Sequence, residues 1–249
     1  MTESEHMSLL TEKLQAEAAT ATAPKRALIV SGADRYADPW HPFAQTSARL
    51  AEILRSQNLT VEIAEDVDND LAALTIDDPD LLVLNLGDPA HAGSSDPGAE
   101  QLAREGLLAY LARGRPLFIS HVTLTSFGSV PEWAGIAGAM WVRGRSFHPP
   151  YGRARIHVHA DSHPIVAGID DFELDDERYT DLEVLPDVVP LASHEHEGRE
   201  QPLIWARKHG TARVVYDALG HDAASYEAAP HREIVTRAAQ WLLEEEGAK

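Results

Sequence analysis

The sequence predicts an α/β fold on a mostly parallel sheet, with helices on both faces and antiparallel additions at one edge. Three observations predict it. Short apolar runs recur at Ala27-Leu28-Ile29-Val30, Leu81-Leu82-Val83-Leu84 and Pro116-Leu117-Phe118-Ile119, as strands buried on both faces should read. Helical stretches separate these runs, which implies right-handed crossovers between parallel strands. After about residue 150 strand-like runs follow one another with no long helix between them, which adds the antiparallel strands.

Taken in order, residues 1–24 are rich in Ala, Thr and Glu and read as a flexible N-terminal tail. Leu9, Leu10 and Leu14 form a weak helical stripe there, suited to a partner subunit. Residues 25–249 contain no repeat or low-complexity linker and read as one domain. The first strand ends at Ser31-Gly32; Phe43, Leu50, Ile53 and Leu54 then share a helical face that stops near Asn58. Val61-Glu62-Ile63 is the next strand, and the Leu81–Leu84 strand halts at Gly87-Asp88-Pro89. Asp96-Pro97 is an N-cap with proline at the first helical position, opening a helix that Leu107, Leu108 and Leu111 carry to Gly114. The fourth strand ends at Ser120-His121. Arg155–His159, Val188–Leu191 and Pro202–Trp205 make the antiparallel edge, Arg213–Tyr216 returns to the main sheet, and Ile234, Val235, Ala238, Trp241 and Leu242 mark a closing helix.

Composition narrows the function. The chain has 249 residues, 44% apolar and 24% charged, with a formal charge of −19. That is ordinary globular composition, but the acidic surface repels phosphate backbones and anionic lipid, so neither nucleic acid nor membrane is an expected partner. There is no cysteine, which removes disulfides, thiolate zinc sites and any thiol nucleophile. The first residues are acidic and carry no apolar leader, and no apolar run approaches the ~18 residues that span a bilayer. The expected location is the cytoplasm.

In an open parallel sheet, ligands bind beyond the carboxyl ends of the strands. That rule selects Asp34, Tyr36, Trp40 and His41 after the first strand, Asp88 and His91 after the third, Ser120-His121 after the fourth, and Gly220-His221-Asp222 after the Arg213–Tyr216 strand. His121 sits where many α/β enzymes place a nucleophile on a sharp turn; it serves either as a strand-end cap or as an acid–base or ligand imidazole. His221 beside Asp222 suits an imidazole held in one tautomer, unless Asp222 only caps the next segment. Asp175-Asp176-Glu177 is either a site or solvated surface, and His194-Glu195-His196-Glu197 reads as an exposed loop. No phosphate-cradling glycine motif or H-E-x-x-H is present.

These rim residues fit a known order. Trp40-His41, Phe118-Ile119-Ser120-His121, Arg145-Ser146-Phe147-His148-Pro149, His163-Pro164-Ile165, Asp176-Glu177-Arg178-Tyr179 and the stretch from Pro202-Leu203-Ile204-Trp205 to Gly220-His221-Asp222 together resemble the trehalose-utilisation (ThuA-like) family over roughly residues 25–245. The resemblance implies a flavodoxin-like domain of the class I glutamine amidotransferase type, linked to carbohydrate catabolism. The related amidotransferases attack glutamine with a cysteine on the elbow after the fourth strand. Here that position carries Ser120-His121, so thiolate attack on an amide is excluded. The sequence also departs from the family in having Pro116–Ile119 for a glycine-rich approach to the elbow, and Gly144-Arg145-Ser146-Phe147 for a Gly-Gly-x-Phe segment.

The resulting expectation is acid–base chemistry on a sugar or keto-sugar. His121 and His221 act as acid and base, Asp222 or Glu177 orients an imidazole, and Trp40, His41, His148 and Tyr179 bind substrate. His41, His121, His148, Glu177 and His221 also suffice for a divalent zinc or manganese site. A non-catalytic binding or assembly module on the same scaffold is the alternative, and a homo-oligomer fits either.

Overall fold

A computed structural model describes residues 24–89 and 96–244. The expected tail lies outside these residues apart from Pro24, as do His91 and the Leu9, Leu10 and Leu14 stripe. Among the described residues, nine of eleven strands form one sheet, in the order β2-β1-β3-β4-β11-β10-β9-β6-β7. Its parallel half comprises β1 (Arg26–Ser31), β2 (Thr60–Ala64), β3 (Leu81–Asn85), β4 (Leu117–Ser120) and β11 (Ala212–Asp217). Antiparallel β10 (Arg199–His209), β9 (Val189–His196), β6 (Gly152–Val158) and β7 (Phe172–Asp176) extend it. Two short strands, β5 (Ala139–Met140) and β8 (Glu183–Val184), pair separately.

The apolar runs of β1, β3 and β4 are buried because helices cover both faces. On one face α1 (Phe43–Ser56) and α5 (Ala229–Leu243) pack on each other and on the parallel strands; on the other α2 (Val67–Ala73) packs on α3 (Pro97–Ala112). The last is so close that a β-carbon on Gly106 of α3 would stand 1.9 Å from the Leu71 carbonyl oxygen. Asp96 caps α3 as its sequence predicts, accepting from the backbone N–H groups of Gly98 and Ala99. A short helix, α4 (Trp133–Ala137), lies near the site. No helix among the described residues is long and apolar enough to cross a membrane.

One stretch corrects the sequence reading. His194-Glu195-His196 is the end of β9 rather than a loop, and His194 is buried. Glu197 and Gly198, with φ of 50° and 72°, form the tight hairpin turn to β10, and two positive-φ residues match the twist of paired strands.

Two features steer the sheet toward a site. The strand order reverses between β1 and β3, which opens a crevice at their carboxyl ends. In addition, β6 pairs with β9 through its carboxyl end alone, at His157–Ser193 and Val158–Ala192, with His159 just beyond bonding to the Leu191 carbonyl. The far end of the β6–β7 hairpin, where Gly152 faces Asp176, therefore diverges from the sheet and reaches the carboxyl end of β11.

The end of β11 is tied to α5 by a buried imidazole. His231 Nε2 lies 2.8 Å from Asp217 Oδ2, and its Nδ1 lies 3.0 Å from the Ser225 carbonyl. Burial opposes a charge there, but Asp217 overrides it and raises the His231 pKa above its ordinary value. The folded protein thus keeps a proton that the unfolded chain sheds near pH 6.5. This stabilisation is complete below that pH and is lost as pH rises through the raised folded pKa. Thermal melts between about pH 6 and 9 will show stability falling more steeply in the wild type than in His231→Gln; equal slopes would place the proton elsewhere.

Candidate functional site

Four loops at the carboxyl ends of β1, β4, β7 and β11 bring His41, His121, Glu177 and His221 together. One donor atom from each lies within 4.8 Å of the others. The ring centroids of His41 stand 5.1 Å from His121 and 4.9 Å from His221, and those of His121 and His221 are 5.6 Å apart.

Each side chain is fixed from behind. Asp38 accepts from the backbone N–H groups of Trp40 and His41 and stands 2.8 Å from His41 Nδ1. Burial, opposed by Asp38 and reinforced by the neighbouring imidazoles, holds His41 below its ordinary pKa. The neutral ring therefore donates from Nδ1, and its buried Nε2 finds no hydrogen-bond partner among the described residues. His121 follows β4 directly with φ of 46°, a left-handed elbow that turns its ring into the crevice. Its Nδ1 is 2.6 Å from the Ala218 carbonyl, so that nitrogen carries the hydrogen and Nε2 faces inward. There it lies 3.3 Å from Tyr179 Oη and 3.4 Å from Glu177 Oε2.

Glu177 emerges from the end of β7, and its other oxygen lies 3.4 Å from His221 Nδ1 and 3.6 Å from His148 Nδ1. Burial would raise this carboxyl, but the imidazoles of His121 and His221 outweigh it and hold Glu177 well below the usual carboxylate range. For His221 burial acts downward, yet Glu177 raises the pKa above the ordinary value. His221 is placed by Asp176, wholly buried, whose carboxylate accepts from the N–H groups of Glu177 (2.8 Å), Gly220 (2.9 Å) and His221 (3.2 Å). The loop can pass here only at glycine: Gly220 has φ of 104°, and a β-carbon would stand 2.4 Å from Tyr226 Oη.

The other expected site residues fall around this cluster. His148 sits at the rim with a side chain 40% exposed. Trp40 lines the same cavity and is 60% exposed. Tyr179 is buried, its ring stacked on His121 at 4.8 Å, so it supports the imidazole and offers little free face. Asp222 turns away from the imidazoles: it caps the turn at Ala223–Glu227 and accepts from Tyr151 Oη at 3.0 Å, leaving Glu177 as the carboxylate that faces His221. Asp38 and Trp141 are absent from the sequence-based expectation, which names Asp176 only as part of an acidic run with no role of its own. The Asp38-x-x-His41 spacing was a signal for the first, whereas nothing local marks Asp176 out from Asp175.

Of the cluster, His41, Glu177 and His221 line a cavity of about 1230 Å³, together with Trp141, Phe127, Arg35, Asp88 and Arg143. Three imidazoles and one carboxylate are a donor set for a zinc- or manganese-type ion. The residues present fit such an ion. The buried His41 Nε2 lacks a hydrogen-bond partner among the described residues, and His221 Nδ1 faces Glu177 Oε1 at 3.4 Å without a well-formed hydrogen bond. The outer nitrogens of His41 and His121 meet a carboxylate and a carbonyl, the arrangement that fixes metal-binding imidazoles.

The family described as trehalose utilisation, ThuA, matches residues 26–242. The chain belongs to the ThuA family. A ThuA-like protein from Parabacteroides merdae ATCC 43184 is 19% identical, with a TM-score of 0.71 over 88% of this chain and 90% of that one. A ThuA-like protein from Bacteroides uniformis ATCC 8492 is 16% identical, with a TM-score of 0.68 over 89% and 93%. A glutamine amidotransferase from Thermotoga maritima is 10% identical, with a TM-score of 0.53 over 89% and 99%. At such identities the likeness establishes the fold, here that of a class I glutamine amidotransferase. No curated protein is significantly similar in sequence. In this ThuA-family member the elbow after β4 presents an imidazole, and the chain has no cysteine.

Proposed function

We propose that this ThuA-family chain is a carbohydrate-utilisation enzyme that holds a divalent metal ion at His41, His121, Glu177 and His221 and acts there on a sugar or an oxidised sugar derivative. One observation carries the reading: three imidazoles and a carboxylate converge within 4.8 Å, with inward nitrogens of two of the imidazoles fixed by hydrogen bonds behind them. The family description supports a sugar as substrate.

When bound, such an ion supplies a Lewis acid that polarises a carbonyl or hydroxyl oxygen. The chain's own groups do the rest. Asp38 and the Ala218 carbonyl keep His41 and His121 in the tautomer that directs a lone pair inward. Tyr179 packs under His121 and prevents its ring from tilting. His148, at the mouth beside Glu177, lies where a substrate proton can be exchanged, and Trp40 shields the entrance.

Elemental analysis of protein purified without a histidine tag will find about one equivalent of zinc or manganese per chain. In His41→Ala or Glu177→Gln the content will fall at least about tenfold. Chelation will lower the melting temperature of the wild type, because a ligand of the native state alone stabilises it. Turnover of trehalose and of oxidised sugars will be lost in His121→Ala and His221→Ala. Substoichiometric metal in an active wild type would overturn the metal reading and return His121 and His221 to acid–base work; full activity in both alanine variants would overturn the catalytic one.

A further inference from the structure

The cavity is lined by many residues outside the donor cluster, among them Trp141. This residue follows β5 and lines the cavity together with Met140 and Arg143. Its indole meets Tyr179 edge-on at 5.0 Å, and Tyr179 in turn stacks on His121 at 4.8 Å. Trp141 therefore stands one aromatic ring beyond the cluster, at half-burial, with part of its surface open to the cavity. Its role differs from that of the core tryptophans: Trp133 and Trp205 are buried and spend their indole N–H groups on the Leu124 and Ala137 carbonyls.

Charge selects what can lie against it. The two arginines lining the cavity among the described residues each pair with carboxylates, Arg35 with Asp68 and Glu100 and Arg143 with Asp88. A phosphate or carboxylate on the ligand would lie beside those carboxylates and be repelled by them. A neutral ring meets no such repulsion, and its C–H face matches the negative face of an indole.

We infer that Trp141 is the platform of this cavity, the surface on which a neutral sugar ring lies while its reacting end reaches His41, His121, Glu177 and His221. The inference rests on the sugar-processing reading above and names the group that would select the sugar.

Titration calorimetry of the full chain with trehalose, glucose and glucose 6-phosphate tests it, with metal content measured on the same samples. The wild type will bind trehalose or glucose more tightly than glucose 6-phosphate. Trp141→Ala will weaken that binding at least about tenfold, Trp141→Phe will restore most of it, and both variants will keep the wild-type metal content and melting temperature. Unchanged affinity in Trp141→Ala, a preference for the phosphate ester, or no binding of either neutral sugar overturns the platform. So does loss of metal or melting temperature in Trp141→Ala, which would make its effect structural. If the wild type itself holds no metal while sugar binding still depends on Trp141, the platform stands and the metal reading falls.

Discussion

Gly220→Ala will lower the melting temperature by roughly 8–16 °C and abolish whatever His221 does. At φ of 104° an alanine lies outside even the left-handed helical region, a strain of about 1–3 kcal/mol. Its β-carbon would also stand 2.4 Å from Tyr226 Oη and 3.1 Å from Cζ. Tyr226 cannot yield easily: it is buried and its hydroxyl lies 3.3 Å from Ser120 Oγ. Overpacking of this kind adds about 1–3 kcal/mol, and a total of about 4 kcal/mol gives the stated shift for a chain of this size. Calorimetry reads the stability, and elemental analysis reads the displaced His221. A melting temperature within about 2 °C of wild type, with metal retained, would show that the loop moves freely, contrary to the packing seen here.

Asp176→Asn is the second large effect, for a reason that isosteric replacement makes sharp. The carboxylate accepts three backbone N–H groups, two on Oδ1 and one on Oδ2. An asparagine has one acceptor oxygen and one NH2. Either orientation sets that NH2 against at least one buried N–H, so at least one donor is orphaned. The charge that strengthened the remaining bonds is gone as well. A loss of about 3 kcal/mol follows, or roughly 6–12 °C in melting temperature. Because Asp176 holds Glu177 and His221 at once, metal content will fall with it, although Asp176 is not itself in the donor set. A variant that melts lower yet keeps its metal would show that the two ligands are placed by something else.

The sheet was legible in the sequence because parallel strands buried on both faces must be apolar throughout, and Leu81–Leu84 or Ala27–Val30 can hardly be anything else. The closing helix and the Asp96 cap were legible for equally local reasons. Short α2 was not, since seven residues with Val67 and Leu71 as their buried positions give too little periodicity to register. His41, His121 and His221 could be selected because strand ends define where a crevice opens. Their partners are another matter. Glu177 sits within an acidic run typical of solvated surface, and only the departure of the β6–β7 hairpin from β9 brings it to the crevice. Asp176 differs from Asp175 by the alternation of a strand, one side chain outward and one inward, and that phase is settled by packing. Asp222 reads as the natural mate of His221 from adjacency alone, yet neighbouring side chains diverge and it caps a turn instead.

The donor residues stand at positions 41, 121, 177 and 221, one after each of four strands distributed along almost the whole chain. A growing polypeptide cannot complete the set until β11 and the loop beyond it have been synthesised and docked. For the metal site proposed above, ion capture during biosynthesis would wait for the final third of the molecule, and a truncated or half-folded chain would present only scattered histidines to the cell's metal pool.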